Sequence, residues 1–337
     1  MAESQTDHTH LPLSPSLRIC RILNGMWQVS GGHGFIDAHH ALEEMTRYVD
    51  AGLHTWDLAD HYGPAEDFIG AWRTQTGRGD DIEAFTKWVP RPGPMPRGTV
   101  EAAIEVSRQR MQTHRLDLLQ FHWWDYRDKR YLDAMKHLAD FQRVGLLAHV
   151  GLTNFDTVRT AEIIDAGVPV LTNQVQYSLL DQRPAQEMAP LCAERGVYLL
   201  TYGTLAGGLL TRRFLNRSEP ARGSLETVSL RKYKRIQEAW GDWSLFQRLL
   251  QVLDDIAQRH QVSIANVATA AILERPAVGG VILGARLSIR QHIDDNLRAL
   301  ALQLTDDDRR QIKAVTDHGA DLMARIGDCG DEYRHRW

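Results

Sequence analysis

The chain has 337 residues, of which 43% are hydrophobic and 24% are charged, and its formal net charge is −4. This composition is typical of a soluble globular protein with a sizeable core, and the weak acidity argues against binding to nucleic acid through counterion release. Three widely spaced cysteines, Cys20, Cys192 and Cys329, argue against a disulfide framework and favour a reducing compartment. We expect a cytoplasmic protein, because the first residues are polar and no apolar run approaches the roughly 20 residues that span a bilayer.

Short apolar runs alternate with longer amphipathic runs along the chain. After a flexible lead over residues 1–17, the pattern predicts eight strands, at residues 21–27, 54–59, 82–88, 116–122, 146–153, 170–177, 197–203 and 279–284. A glycine-rich turn follows the first strand, at Gly31, Gly32 and Gly34. Helices are predicted between the strands, at about 36–51, 65–72, 99–112, 131–144, 157–166, 185–195, 244–260 and 263–274, and two more, at about 289–302 and 305–316, close the chain.

This order of elements predicts the fold. Strands separated by helices form parallel sheets with right-handed crossovers. Eight such units without a linker favour a closed (β/α)8 barrel of the TIM type over an open doubly wound sheet. We therefore expect a single α/β domain over residues 18–318, with extra helices and a C-terminal tail over 319–337.

Two segments do not fit the alternation. The basic run RKYKR, residues 231–235, lies in a long polar stretch, and we interpret it as a solvated loop. The C-terminal tail contains Tyr333 and Trp337 but no clear element. We expect it either to fold over the barrel mouth as a lid that affects specificity or to be a partly disordered terminus.

Charged or polar residues end three successive strands of the predicted barrel. Asp57, Lys87 and His122 end the second, third and fourth strands, and Tyr62 lies in the loop after Asp57. Active sites of such barrels lie at these strand ends. A structural ion pair beside a hydrogen-bonded histidine is the alternative interpretation of any one of these residues. The set as a whole favours a catalytic centre.

These four residues have a coherent chemistry. A phenol with a pKa near ~10 is a weak acid, and a nearby ammonium lowers that pKa. We expect Lys87 to lower the pKa of Tyr62, with Asp57 balancing the lysine charge. Tyr62 then protonates a carbonyl oxygen to which His122 donates a hydrogen bond. The set contains no nucleophile, so the reaction requires an external one, and hydride fits that requirement.

The segments that carry these residues resemble the aldo-keto reductase superfamily. The matching motifs occur in order: WDLADHYG (56–63), FTKW (85–88), RLDLLQFHWWD (115–125), GLTNFD (151–156), NQVQYSLLD (173–181), YGTLAGGLLT (202–211) and GGVILGARLSIRQHIDDN (279–296). The resemblance covers roughly residues 22–315. It implies an NADPH-dependent oxidoreductase that reduces an aldehyde or ketone to an alcohol. In that family pattern Tyr62 is the general acid, Lys87 its activator, Asp57 the lysine partner and His122 the carbonyl-orienting donor.

The resemblance also implies a cofactor extended across the barrel mouth, although the chain has no dinucleotide-binding glycine motif. Thr153, Asn154 and Gln174 would bind the nicotinamide carboxamide, and Tyr202 would stack on the ring. The other implied cofactor contacts are Gly203, Leu205, Arg286, Arg290, Asp295 and Asn296. Among these, Arg286 or its rival Arg290 would bind the 2′-phosphate, and Asp295 and Asn296 the adenine; Arg212 or Arg213 could reach the pyrophosphate. The arginines favour NADPH over NADH.

The sequence leaves several questions open. We expect Trp27, Trp88 and Trp123 to line an aromatic substrate pocket, whereas for Trp124 packing at the barrel rim is an equal alternative. We expect no metal, because the chain offers Lys87 where a metal-dependent barrel hydrolase would need a ligand. A nicotinamide-binding sensor subunit with little turnover is a second alternative. The expected partner is a small carbonyl compound, with neither nucleic acid nor membrane, and the sequence does not decide between monomer and homo-oligomer.

Overall fold

The computed structural model of the chain describes residues 8–31, 36–289 and 291–334. A hairpin of β1 (His10–Ser14) and β2 (Leu17–Cys20) precedes a closed barrel of eight parallel strands. The barrel strands are β3 (Ile22–Gly25), β4 (Thr55–Asp57), β5 (Glu83–Trp88), β6 (Leu116–His122), β7 (Leu147–Thr153), β8 (Val170–Gln176), β9 (Tyr198–Tyr202) and β10 (Val278–Gly284). Each strand pairs with its sequence neighbour, and β10 closes the barrel against β3. The predicted (β/α)8 fold is confirmed.

Helices follow the strands and form the outer layer. They are α1 (Ala38–Asp50), α2 (Ala65–Thr76), α3 (Arg97–Arg110), α4 (Tyr131–Arg143), α5 (Thr157–Asp165), α6 (Met188–Arg195), α7 (Val228–Trp240), α8 (Trp243–His260), α9 (Ile264–Leu273), α10 (Ile293–Ala301), α11 (Asp306–Thr316), α12 (Leu322–Ile326) and α13 (Asp331–Arg334). In the described part of the chain, no helix is both long enough and apolar enough to cross a membrane.

The hairpin closes the N-terminal end of the barrel. Leu13, Leu17 and Ile19 of the hairpin pack with interior side chains of the barrel, Leu23, Phe85, Leu118 and Leu200. The prediction of a flexible lead is therefore wrong for residues 10–17, and residues 1–7 lie outside the described part. The apolar residues Leu11, Leu13, Leu17 and Ile19 alternate with polar ones, which is the strand signal that the sequence analysis did not use.

The basic run lies in helix α7 and not in a loop. The side chain of Lys234 is fully buried, and its Nζ donates to Glu219 at 2.5 Å and to Gln237 at 2.6 Å. The interpretation of residues 231–235 as a solvated loop is therefore wrong. The signal for a helix was the spacing of its buried apolar residues, Leu230, Tyr233, Ile236 and Trp240.

Two glycines in helices give a matched test of the packing between α2 and α3. A Cβ on Gly70 would lie 2.0 Å from the backbone oxygen of Arg110, whereas a Cβ on Gly98 would meet nothing within 4 Å. Gly70→Ala should lower the free energy of unfolding by about 1–3 kcal/mol, as overpacking does. Gly98→Ala should raise it by up to about 1 kcal/mol, because alanine loses less backbone freedom than glycine when a helix forms. Urea unfolding measures both changes, and effects of the same sign would contradict this packing.

Candidate active site

The four predicted catalytic residues lie together at the C-terminal end of the barrel. Asp57 and His122 are the last residues of β4 and β6, and Lys87 is the last but one of the intervening strand β5. Tyr62 follows β4 in a tight turn, in which its backbone N–H donates to the carbonyl oxygen of Ala59 at 3.1 Å. All four side chains line one cavity of about 460 Å³.

Lys87 and Asp57 form a buried ion pair. The Nζ of Lys87 donates to Asp57 Oδ1 at 2.9 Å, to Oδ2 at 2.7 Å and to the carbonyl oxygen of Leu58 at 2.7 Å. The two charged residues are only 2% and 3% exposed. Burial lowers the pKa of Lys87, and the charge of Asp57 acts in the opposite direction. The three contacts match the three N–H donors of an ammonium group.

Two glutamines add hydrogen bonds to the carboxylate of Asp57. Its Oδ1 accepts from Gln120 Nε2 at 3.1 Å and from Gln174 Nε2 at 2.7 Å, and Gln174 also donates to Gln120 at 2.8 Å. The sequence analysis missed Gln120. It precedes His122 by two positions on β6, so both side chains face the same side of the strand, and this alternation was the available signal.

The pKa of Tyr62 differs from the sequence-based expectation. Its surroundings raise the pKa well above the ordinary value, first through desolvation and then through the charge of Asp57. The Nζ of Lys87 lies 5.0 Å from the centre of the Tyr62 ring, with its contacts directed to Asp57 and Leu58. The expected lowering by Lys87 is therefore not found. Tyr62 is protonated at neutral pH and has a proton to donate.

His122 is neutral at physiological pH. Burial, followed by the neighbouring Arg334, His61 and Lys87, lowers its pKa to about 3. A neutral imidazole has one N–H donor and keeps its proton count constant around neutral pH. His122 can therefore donate a hydrogen bond without serving as the proton source.

The aromatic wall of the cavity differs from the prediction. Trp27 lines the cavity as expected, and so does the 42% exposed Trp124. Trp88 is 7% exposed and packs against Phe121 away from the cavity. Trp123 is fully buried, and its indole N–H donates to backbone oxygens of the following loop. The predicted placement of Trp88 and Trp123 in the pocket is therefore wrong.

The residues expected to bind a cofactor lie along two adjoining cavities. The first is the catalytic cavity, which holds the four predicted catalytic residues and is also lined by Thr153, Asn154, Gln174, Tyr202, Gly203, Leu205 and Arg286. Lining a second cavity of about 980 Å³ are Arg212, Arg213, Asp295 and Asn296. The cavities share Leu205, Gly208, Leu283 and Gly284, so they form one continuous cleft across the barrel mouth. Arg290 lies outside the described residues.

The nicotinamide end of this cleft fits an amide-bearing ring. The hydroxyl of Thr153 is buried and has no hydrogen-bond partner among the described residues. Asn154 adopts a left-handed backbone conformation, φ +57°, which asparagine tolerates better than most residues. Its side-chain oxygen accepts from the hydroxyl of Tyr202 at 2.7 Å. These groups match the hydrogen bonds and the flat face that a nicotinamide carboxamide requires.

The C-terminal segment contacts this end of the barrel. Arg334 donates to the backbone oxygens of Trp123 and Asn154, at 3.0 and 2.7 Å. Tyr333 lines the catalytic cavity, and its hydroxyl lies 3.2 Å from that of Tyr202. Of the two alternatives for the tail, the contacts of residues 333 and 334 fit the one in which it covers the mouth.

A buried ion network fixes the position of this segment. Arg183 is 1% exposed and pairs with Asp181 at 2.7 Å and with Glu332 at 3.0 Å. Its guanidinium also donates to the backbone oxygen of Asp328 at 3.0 Å. The loop after β8 is thereby tied directly to α13.

The model of the Aldo/keto reductase family matches residues 21–317. The chain therefore belongs to the aldo/keto reductase family, which generally reduces carbonyls with NADP(H).

Individual relatives are similar over most of their length. Protein tas of Escherichia coli is 28% identical over 320 residues, which covers 83% of this chain and 89% of the relative. An aryl-alcohol dehydrogenase of Pestalotiopsis microspora is 27% identical over 334 residues, which covers 92% of this chain and 82% of the relative. A thermostable aldo-keto reductase solved with the inhibitor epalrestat has a TM-score of 0.71 and 22% identity, covering 91% of this chain and 99% of that one, which supports the fold.

The depressed pKa of His122 predicts a dependence of stability on pH. The unfolded chain takes up a proton at this side chain below its ordinary pKa, near ~6.5, whereas the folded chain does so only near pH 3, so the folded state loses stability as the pH falls. Relative to His122→Gln, the wild type should lose about 2 kcal/mol of unfolding free energy between pH 7 and pH 5. Urea unfolding of both proteins at the two pH values measures this. A difference that does not change with pH would contradict a buried neutral imidazole.

Proposed function

We propose that the chain is an NADPH-dependent reductase that converts an aldehyde or ketone to an alcohol, with Tyr62 as the general acid. The supporting observation is the convergence of Asp57, Tyr62, Lys87 and His122 on one cavity. That cavity continues into a cleft lined by residues suited to a dinucleotide. Membership of the family supports the same reaction class.

Tyr62 and His122 act on the carbonyl oxygen. The phenol of Tyr62 holds a proton at neutral pH, and the neutral His122 supplies a hydrogen bond to the same oxygen. As the proton leaves Tyr62, negative charge develops on its phenol. The ammonium of Lys87, 5.0 Å from the ring, stabilises that charge, and Asp57 keeps the lysine in place. The high pKa of Tyr62 before reaction is consistent with a proton that moves only when the oxygen becomes basic.

The cofactor, when bound, would supply the hydride. Thr153, Asn154 and Gln174 would bind its carboxamide, and Tyr202 would cover one face of the ring. Leu205 lies where the cleft passes from the first cavity to the second, and Gly203 lines the first cavity. Asp295 and Asn296 would contact the adenine end, and Arg286 the 2′-phosphate.

A cytoplasmic location is supported by the three cysteines, which are all buried and free.

The acid role of Tyr62 is tested by removing its hydroxyl. Tyr62→Phe should lower the rate of carbonyl reduction by about 100- to 10,000-fold, the usual contribution of general acid catalysis, with NADPH affinity unchanged. The loss of NADPH absorbance with a panel of aromatic and aliphatic aldehydes measures the rate. Tyr198→Phe is the control, because Tyr198 lies at the N-terminal end of β9 and the site lies at the C-terminal ends of the strands.

Equal rates in the wild type and Tyr62→Phe would overturn this role. Tight NADPH binding by the wild type without turnover of any aldehyde would instead support the sensor alternative.

The cofactor preference is tested at Arg286. Arg286→Leu should weaken NADPH binding by about 10- to 100-fold through loss of charged hydrogen bonds to the 2′-phosphate. NADH binding should change by less than about threefold, because NADH lacks that group. Fluorescence titration with both nucleotides measures the affinities, and Arg310→Leu on the exposed face of α11 is the control. An equal loss for both nucleotides would exclude a specific role at the 2′-phosphate.

A further inference from the structure

Lys232 brings a second ammonium group into the catalytic cavity. It lies on α7, in the basic run that the sequence analysis assigned to a loop, and it lines the cavity together with Tyr62, His122 and Trp124. Lys232 therefore lies in the part of the cleft that holds the predicted catalytic residues.

Three tyrosines surround this ammonium. The Nζ of Lys232 lies 5.0 Å from the ring centre of Tyr202, 4.8 Å from that of Tyr233 and 4.7 Å from that of Tyr333. It donates a hydrogen bond to the hydroxyl of Tyr333 at 2.5 Å. Aromatic faces attract a cation, but they do not neutralise its charge.

No carboxylate lies within 4.0 Å of the Lys232 Nζ in the described part of the chain. Glu332 is the acid that acts on its pKa, but that carboxylate is already paired with Arg183 and accepts from Tyr202. Burial acts to lower the pKa of Lys232, and Tyr233, Tyr333 and Glu332 act to raise it more strongly. Lys232 is therefore a cation at neutral pH. By contrast, Lys87 in the same cavity is neutralised by Asp57.

The geometry relates this ammonium to the reacting centre. Tyr333 contacts both: its ring centre is 6.4 Å from that of His122 and 4.7 Å from the Lys232 Nζ. The ammonium therefore shares a neighbour with His122 and lines the same cavity, where it can meet an anionic group of a molecule whose carbonyl oxygen lies at Tyr62 and His122. Trp27 and Trp124 supply apolar walls for such a molecule.

We propose that Lys232 is a substrate-binding residue that selects carbonyl compounds carrying a carboxylate. This inference rests on the proposed reductase function and adds the substrate class. The ammonium has further N–H donors besides the one directed to Tyr333, so a ligand carboxylate binds without displacing the tail.

The test uses two aldehydes of the same shape and different charge. They are 4-carboxybenzaldehyde and its neutral methyl ester, methyl 4-formylbenzoate. In Lys232→Met, kcat/KM for the carboxylate should fall by about 10- to 100-fold, and for the ester by less than about threefold. Lys232→Arg should retain most of the preference for the carboxylate. Lys313→Met, at an exposed lysine of α11, is the matched control.

Binding is measured separately from turnover. Quenching of tryptophan fluorescence by 4-carboxybenzaldehyde reports affinity, because Trp27 and Trp124 line the cavity. A loss of this affinity in Lys232→Met would support the proposal even if no aldehyde were reduced, in which case the proposed function alone would fail. Turnover of both aldehydes with equal losses in Lys232→Met would overturn this proposal and leave the reductase function intact.

Two further outcomes would overturn the proposal. Weakened NADPH binding in Lys232→Met, with unchanged discrimination between the two aldehydes, would assign the lysine to a cofactor phosphate. Tyr333→Phe keeps the ammonium and removes only its hydroxyl partner. If Tyr333→Phe lowered carboxylate affinity as much as Lys232→Met, Lys232 would act only by fixing the tail. Retained or increased affinity in Tyr333→Phe would support direct contact.

Discussion

The buried ion pair between Lys87 and Asp57 is the interaction on which the site depends. Transfer of two charges into a barrel interior costs several kcal/mol per ion unless each is fully hydrogen-bonded. The ammonium directs its contacts to Asp57 and to the backbone oxygen of Leu58 directly after β4, and the carboxylate accepts from two glutamines of β6 and β8 as well. Four strands are thereby joined at their C-terminal ends through one carboxylate. The same arrangement explains why the pKa of Tyr62 stays high. The ammonium of Lys87 donates to Asp57 and Leu58, and the negative charge of Asp57 opposes formation of a phenolate.

A second ion network fixes the cover of the cavity. The guanidinium of Arg183 is as buried as Lys87 and joins Asp181 in the barrel loop to Glu332 in the tail. Because Glu332 also accepts from Tyr202, the residue expected to stack on nicotinamide and the segment that covers the mouth share one carboxylate. The position of Tyr333 between His122 and Lys232 therefore depends on contacts made well outside the cavity. Burial of His122, and with it the low pKa of that residue, follows from this cover together with the charge of Arg334.

The sequence predicted those parts of the molecule that repeat with a regular period. Eight apolar runs predicted the strands, and the polar residues at their ends predicted which side chains meet in one cavity at the barrel mouth. The errors in the predicted pocket concern the direction in which a side chain points from its strand, and not the position of the strand in the sequence. Along a strand, side chains alternate between the interior and the helical layer. Since Lys87 and His122 face the interior, Trp88 and Trp123 must face outward, and Trp124 faces the cavity again. The alternation that excludes two tryptophans also predicts Gln120.

The misassigned basic run shows a different limit. Five residues rich in lysine and arginine are usually solvated, and composition alone favours a loop. In α7, however, the charges alternate with buried apolar positions, so the helix directs Lys234 into the protein and Lys232 into the cavity. The partners of these cations differ: Glu219 in the preceding loop and Glu238 one turn further along α7 pair with Lys234, whereas Tyr202, Tyr233 and Tyr333 surround Lys232. Lys87 is paired to Asp57 and His122 is neutral, so the anion preference that we propose for this cavity comes from Lys232, which lies outside the predicted catalytic set.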